Sequence, residues 1–227
     1  MRILLLGANG RTGTAVISEA LQRGHTISAL VRRPETLATY ANNVSITTGS
    51  SLSKEDVTKA FASAPKSDPI KAVVSTLNNG RTSDNPWAKP TAPANLMADS
   101  VRNCVTVMKE YGVKKIVALG TVGVGSSKAT RPWWFNWIIA HSNLKIAFDD
   151  HYAVQQALEA ESSKDPALMW VDVRAVGLGN GEKKDVKEFG NEGQGAGWMI
   201  SRKSVAAFML DAVENSRWDG QTPVISN

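Results

Sequence analysis

The segment that most restricts what this chain can fold into stands at its amino terminus. A five-residue run, Arg2 to Leu6, ends at Gly7-Ala8-Asn9-Gly10-Arg11-Thr12-Gly13 and leads straight into an amphipathic stretch. A short run without alternation suits a strand buried on both faces, as in a parallel sheet. Val16, Ala20 and Leu21 then recur at helical spacing until Gly24 stops a helix read over 12–23. Glycines spaced G-x-x-G-x-x-G between the two permit a tight turn, close approach of backbone to a pyrophosphate, and tight helix-to-strand packing. The free N–H groups at the helix start face the anion. Glycine spacing alone is a weak signal; strand, glycines and helix in that order make it strong. Gly7, Asn9, Gly10, Arg11, Thr12 and Gly13 are therefore candidate residues of a dinucleotide site.

The remaining chain repeats the rhythm. Strands are read at about His25–Val31, Val44–Thr48, Lys71–Thr76, Lys115–Leu119, Leu168–Val173 and Thr222–Ile225. Helices are read near 54–63, 94–111, 144–162 and 202–215, with a short one opened by Pro34. Alternation of this kind predicts an α/β fold, a Rossmann-type doubly wound parallel sheet with helices on both faces. It never breaks, so residues 1–227 are read as a single NAD(P)-binding domain. Two segments fall outside the rhythm: 78–93, polar with three prolines, and 174–200, rich in glycine and charge. Both follow strands, so both belong at the carboxyl edge of the sheet, where open α/β folds bind ligands. They are expected to be substrate-side loops.

Charge and cysteine usage remove other classes. Lys+Arg 26 against Asp+Glu 21 leaves +5, and the basic runs are only pairs such as Arg32-Arg33 and Lys183-Lys184, so no nucleic-acid stripe is present. Cys104 is the only cysteine and shares a helical stripe with Met97, Val101, Val105 and Met108, which suits a buried inert thiol. No cluster has metal-ligand spacing, and there is no G-x-S-x-G, no H-E-x-x-H and no complete P-loop. The apolar core of MRILLLGANG is too short for a signal peptide, and no stretch approaches the ~18 apolar residues of a membrane span. A cytoplasmic protein, monomer or homodimer, acting on a small molecule is expected.

The second strand bears on which dinucleotide binds. NAD sites place an acid about 20 residues on, against the ribose 2′-OH. Here Arg32 and Arg33 stand after that strand and the nearest acid is Glu35. A guanidinium suits a 2′-phosphate, which it holds bidentately, so the expected cofactor is NADP(H).

GANGRTG after the first strand, VRRPETL after the second, and the later blocks Asp149-Asp150-His151, Met199-Ile200-Ser201 with Ala207-Phe208-Met209-Leu210, and Trp218-Asp219-Gly220 carry a resemblance. The chain resembles the NmrA-like atypical short-chain dehydrogenases, and among them the biliverdin IXβ reductase/flavin reductase branch. The resemblance implies a Rossmann domain with a small C-terminal cap region, NADPH as cofactor, and hydride transfer to a planar aromatic or conjugated acceptor of flavin, quinone or tetrapyrrole kind. It places Ser50 and Leu52 at the adenine end, where an acid often stands, and Ser75 and Leu77 beside the nicotinamide. Thr121 matches a family serine and keeps its hydroxyl. Arg174-Ala175 replaces an Arg-Pro, and Gly177 replaces a histidine of the flavin reductase branch. The wider group also includes non-catalytic NADP(H)-binding redox sensors, which is the alternative function.

Most short-chain dehydrogenases pair Tyr-x-x-x-Lys so that lysine lowers the tyrosine pKa. No such pair is read in this chain; the nearest forms are His141 to Lys145 and Tyr152 to Gln156, so a conventional alcohol dehydrogenase mechanism is not expected. Thr121 and His151 are the catalytic candidates. Thr121 suits positioning, because a hydroxyl pKa is too high for efficient acid catalysis at neutral pH. His151 shares an inward face with Ala147, Val154 and Leu158, which better suits a core histidine bonded to a carbonyl or a neighbouring carboxylate than a catalytic one. Trp133-Trp134-Phe135-Asn136-Trp137 reads either as stacking surface for a conjugated ligand or as an aromatic helix packed inside or against a second subunit.

Overall fold

The computed structural model describes residues 1–83 and 85–227; Asp84, in the expected 78–93 loop, lies outside the described residues. Among the described residues ten strands and six α-helices follow one another. They are β1 (Arg2–Leu6), α1 (Arg11–Gln22), β2 (Thr26–Val31), β3 (Val44–Thr48), α2 (Lys54–Ala62), β4 (Ile70–Ser75), α3 (Leu96–Glu110), β5 (Lys115–Thr121) and α4 (Trp133–Ala140). Then come α5 (Leu144–Lys164), β6 (Met169–Ala175), β7 (Gly177–Gly179), β8 (Lys187–Glu188), β9 (Met199–Ser201), α6 (Arg202–Glu214) and β10 (Val224–Ser226). Short 3₁₀ segments at Pro34–Tyr40 and Gly125–Thr130 complete the path.

The main sheet runs β3-β2-β1-β4-β5-β6-β10-β8, parallel throughout except for β8 against β10. Strand order reverses between β1 and β4, and the crevice beyond that switch point is where ligands enter such sheets. The period of two in β1 divides the core. Ile3 and Leu5 pack with Val16, Ile17 and Ala20 of α1 and with α6, whereas Leu4 and Leu6 face Val57, Val101 and Leu158 of α2, α3 and α5. All five β1 residues are buried, which is why the run carries no alternation. Cys104 lies in the second core, its thiol pushed up to about 12 by burial and so inert.

The expected elements are all present, with shifted ends. β6 runs two residues past Val173 because its partner β5 continues to Thr121 and the ladder persists to Ala175. The last strand begins at Val224, since Pro223 has no N–H to donate and serves only as an acceptor for Arg174 N. The expected loop 174–200 is partly structured. β7 and β9 pair in parallel as a small second sheet, and β8 adds to the main sheet's edge. Strands of two or three residues carry too little periodicity to be read from sequence. No helix among the described residues is long and apolar enough to cross a membrane.

Candidate active site at the carboxyl edge

The glycine segment forms the tight turn its spacing predicts. Gly7 sits at φ +80°, and a Cβ there would lie 2.8 Å from the Thr76 backbone carbon. Gly13 is closed more firmly: its Cβ would stand 2.2 Å from Gly7 O and 2.8 Å from Ala8 Cα, all backbone. The turn is held by Gly10 N donating to Gly7 O (3.0 Å) and by Thr76 Oγ1 donating to Leu6 O and Gly7 O, both 3.2 Å. Helix α1 starts at Arg11 without a side-chain cap, so its first N–H groups are left for an anion. Asn9, Gly10 and Arg11 are exposed there, and Thr12 and Gly13 are buried beneath. The turn packs too closely on backbone for a side chain at Gly7 or Gly13, and the uncapped N–H groups of α1 beside it suit a pyrophosphate.

Arg32 and Arg33 follow β2 as exposed side chains whose guanidinium groups make no ion pair or hydrogen bond among the described residues. Ser50 and Leu52 lie in the turn after β3, where Ser50 N donates to Asp56 Oδ2 (3.0 Å) and Leu52 N to Ser50 Oγ (3.2 Å). Ser75 is buried at the end of β4 and Leu77 is half-buried against the core; neither lines the cavities described below.

Two adjoining cavities open past the switch point. The larger, about 660 Å³, is walled by Trp134, Phe135, Phe148, Val176 and Leu178, with Trp198 and Arg202 from the 174–200 side. The smaller, about 340 Å³, lies between the start of the 78–93 loop and α5. Arg11, Asn78, Thr121 and Phe148 border both. The aromatic run thus divides its duties. Trp134 and Phe135 face the larger cavity, the Phe135 ring meeting Phe148 edge-on at 6.0 Å, while Trp133 is 81% exposed and Trp137 stacks outward on His141 at 4.7 Å.

Thr121 ends β5 at the junction of the two cavities, and its hydroxyl donates only a long 3.4 Å bond to Val122 O. His151 lines the smaller cavity and is buried, with Nδ1 unpartnered among the described residues. Burial pulls its pKa down to about 4, so the ring is neutral at physiological pH. Neither neighbouring carboxylate bonds it. Asp149 pairs with Lys145. Asp150 instead caps α3: its carboxylate accepts from Met97 N and Ala98 N, each 2.9 Å, and from Asn79 Nδ2 at 2.7 Å. Asp150 of the Asp-Asp-His block is therefore structural.

The chain does contain one Tyr-x-x-x-Lys spacing, Tyr111 to Lys115, and it stands in the wrong place for catalysis. Tyr111 packs on Phe61, and Lys115 opens β5 at the amino edge of the sheet, paired with Asp219. Arg174, where the resembling family has Arg-Pro, is fully buried and donates to Ser126 Oγ (2.8 Å), Asn191 O (3.0 Å) and Gln155 Oε1 (2.6 Å). It holds together β6, α5 and the segment after β5. Asp172 beside it is equally buried, its Oδ2 3.8 Å from Arg174 Nε and neither oxygen hydrogen-bonded among the described residues, and burial raises its pKa to about 7. Gly177 leaves no room for the histidine of the flavin reductase branch, since a Cβ there would meet Trp198 O and Met199 Sδ at 2.7 Å.

Several lining residues escaped the sequence reading: Arg131, whose guanidinium lies 5.4 Å over Phe148, with Arg81, Trp198 and Arg202. Arg81 and Trp198 come from the aperiodic segments 78–93 and 174–200, whose expected place at that edge was the available signal; Arg131, after Gly125–Thr130, and Arg202, at the start of α6, are brought there only by the fold.

Comparison with known proteins agrees with this geometry. Residues 7–216 match a family described as NAD(P)H-binding. The reductase pytE of Aspergillus terreus is 24% identical over 241 residues, covering 92% of this chain and 90% of its own. The anaerobillin reductase ChuY from Escherichia coli O157:H7 superposes with a TM-score of 0.76 at 17% identity, over 100% of this chain and 97% of its own. A short-chain dehydrogenase/reductase from Veillonella parvula, solved in complex with NADP, gives a TM-score of 0.69 at 16% identity, over 100% and 94%. Its sheet order, its glycine cradle and the match across residues 7–216 together make this chain a member of the NAD(P)H-binding Rossmann family.

Proposed function

We propose that the protein is an NADPH-dependent reductase that passes hydride to a hydrophobic, conjugated small molecule. The observation that carries this reading is the aromatic cavity, which meets the glycine turn at Arg11 and the strand ends at Asn78, Thr121 and Val176. A cavity of 660 Å³ lies within the range of small-molecule sites, and its Trp134, Phe135 and Phe148 rings give a flat ligand surfaces to stack on. The bound nicotinamide supplies the hydride; the chain's own residues bind, orient and exclude water.

Gly7, Asn9, Gly10, Arg11, Thr12 and Gly13 hold the pyrophosphate, and Arg32 and Arg33 the 2′-phosphate. Ser50 and Leu52 border the adenine, and Ser75, Leu77 and Thr121 the nicotinamide side. Thr121 and the neutral His151 border one cavity, where each offers a hydrogen bond to the acceptor's oxygen. Neither supplies a ready proton at pH 7, so the proton comes from solvent. Orientation of two bound reactants is sufficient for a transfer of this kind.

The test is twofold. NADPH oxidation is followed with flavins, quinones and linear tetrapyrroles; binding of NADPH with no turnover across the panel overturns the reductase reading in favour of a redox sensor. Arg32→Ala and Arg33→Ala should each weaken NADPH binding roughly ten- to a hundred-fold and leave NADH nearly unchanged. Equal losses for both nucleotides would refute the 2′-phosphate assignment.

A further inference from the structure

The smaller cavity is polar where the larger is aromatic. Asn79 and His151 that line it are 6% and 8% exposed, and three buried atoms around it, Asn79 Oδ1, Arg81 Nε and His151 Nδ1, have no partner among the described residues. An unsatisfied buried polar group costs about 1–3 kcal/mol, and of the three Arg81 Nε is a donor that calls for an acceptor from a ligand, while Asn79 Oδ1 itself accepts.

The loop that brings Arg81 here is firmly held. Thr91 N donates to Gly80 O (2.8 Å) and Thr82 N to Lys89 O (3.0 Å), on either side of an Arg81–Pro90 bridge. Trp87 Nε1 donates to His141 O (2.8 Å), and Asn143 Nδ2 to Trp87 O (3.0 Å) and Ala88 O (3.1 Å), which pins the loop to the α4–α5 turn. Asn79 is fixed in turn by Asp150 Oδ2 (2.7 Å) and Ala94 O (3.2 Å). Arg81 is the charged side chain that this loop brings to the cavity lining.

We propose that this cavity is an anion subsite, in which Arg81 holds a carboxylate borne by the acceptor whose conjugated body lies in the adjoining aromatic cavity. A planar guanidinium matches a carboxylate bidentately, and a partly desolvated one gains more from it than an exposed lysine would. The placement of the acceptor's ring rests on the reductase reading; the anion preference is a property of the cavity itself. Phe148 and Thr121 border both cavities, so a short carboxyalkyl arm joins the two positions.

The test is binding, independent of turnover. A 1,4-naphthoquinone carrying a propionate side chain and its methyl ester are titrated calorimetrically into NADP⁺-saturated protein. The acid should bind roughly ten-fold or more tightly than the ester. Arg81→Gln should bring that ratio near one with ester and NADP⁺ affinities unchanged, and Arg81→Lys should restore part of it. Where Arg81→Gln does not fold, the parent's acid preference should still shrink as salt rises. Equal binding of acid and ester to the parent, or a preference that survives Arg81→Gln, overturns the subsite. Acid preference without NADPH oxidation leaves the subsite standing and removes the reductase reading; oxidation with both probes and no preference does the reverse. Absence of binding by either probe removes both.

Discussion

His151 and Asp172 should impose opposite pH dependences on stability, and substituting either one exposes the other. His151 is buried, and its folded pKa is pulled from 6.5 down to about 4 by desolvation. Between those values the unfolded chain binds the proton and the native one does not, so stability rises with pH from about 4 to 6.5 and is then level. It is lost as pH falls through that window. Asp172 is fully buried, and desolvation raises its pKa from 3.8 to about 7. Here the native state holds the proton, so its contribution is complete below about 4 and is lost as pH rises to about 7. At roughly 1.4 kcal/mol per pH unit, the two windows are worth about 3 and about 4 kcal/mol, of opposite sign. In the parent they largely cancel between pH 4 and 6.5. Urea unfolding at half-unit steps from pH 4 to 8 reads this directly, provided m stays constant. His151→Gln should leave a stability that falls with rising pH relative to the parent, and Asp172→Asn one that rises. If the parent-minus-variant difference for His151→Gln does not change across pH 4 to 6.5, the imidazole is not desolvated as described. Its role as a neutral hydrogen-bonding group would fall with it.

Three further outcomes follow from the geometry. Gly13→Ala should abolish measurable NADPH binding by calorimetry and lower stability by about 1–3 kcal/mol, because its methyl would stand 2.2 Å from a backbone oxygen; normal affinity would contradict the cradle. Asp150→Ala removes three hydrogen bonds to one buried carboxylate and uncaps α3, so a loss of about 3–5 kcal/mol is expected in chemical denaturation. A loss under 1 kcal/mol would show that the cap contributes little. Trp134→Ala should raise KM for a conjugated acceptor about ten-fold while the NADPH dissociation constant stays put; a change confined to NADPH would remove Trp134 from the acceptor's wall.

Much of the architecture was legible because it rests on local periodicity. The unbroken burial of Arg2–Leu6, the glycine spacing and the helical stripe of Val16 and Ala20 each report their surroundings within a dozen residues. The identity of Arg32 and Arg33 after β2 is likewise a statement of position along the chain. Where contacts are distant the reading ran out. Nothing near Asp150 in sequence says that its carboxylate caps a helix more than fifty residues earlier. The buried Arg174 network draws on residues 126, 155 and 191, and the room denied to a side chain at Gly177 is set by Trp198. The aromatic run had two equal readings until the fold turned Trp134 and Phe135 to the cavity and Trp133 and Trp137 outward.

By itself, then, the sequence determined a parallel α/β sheet with a tight glycine turn after its first strand, because turn geometry and strand burial depend on the residues that carry them. Only the tertiary structure decided what faces the carboxyl edge of the sheet. It brought Arg81 from one loop, Arg131 and Trp134 from another, and Trp198 from a third to adjoining cavities, and convergence of that kind depends on contacts that have no period along the chain.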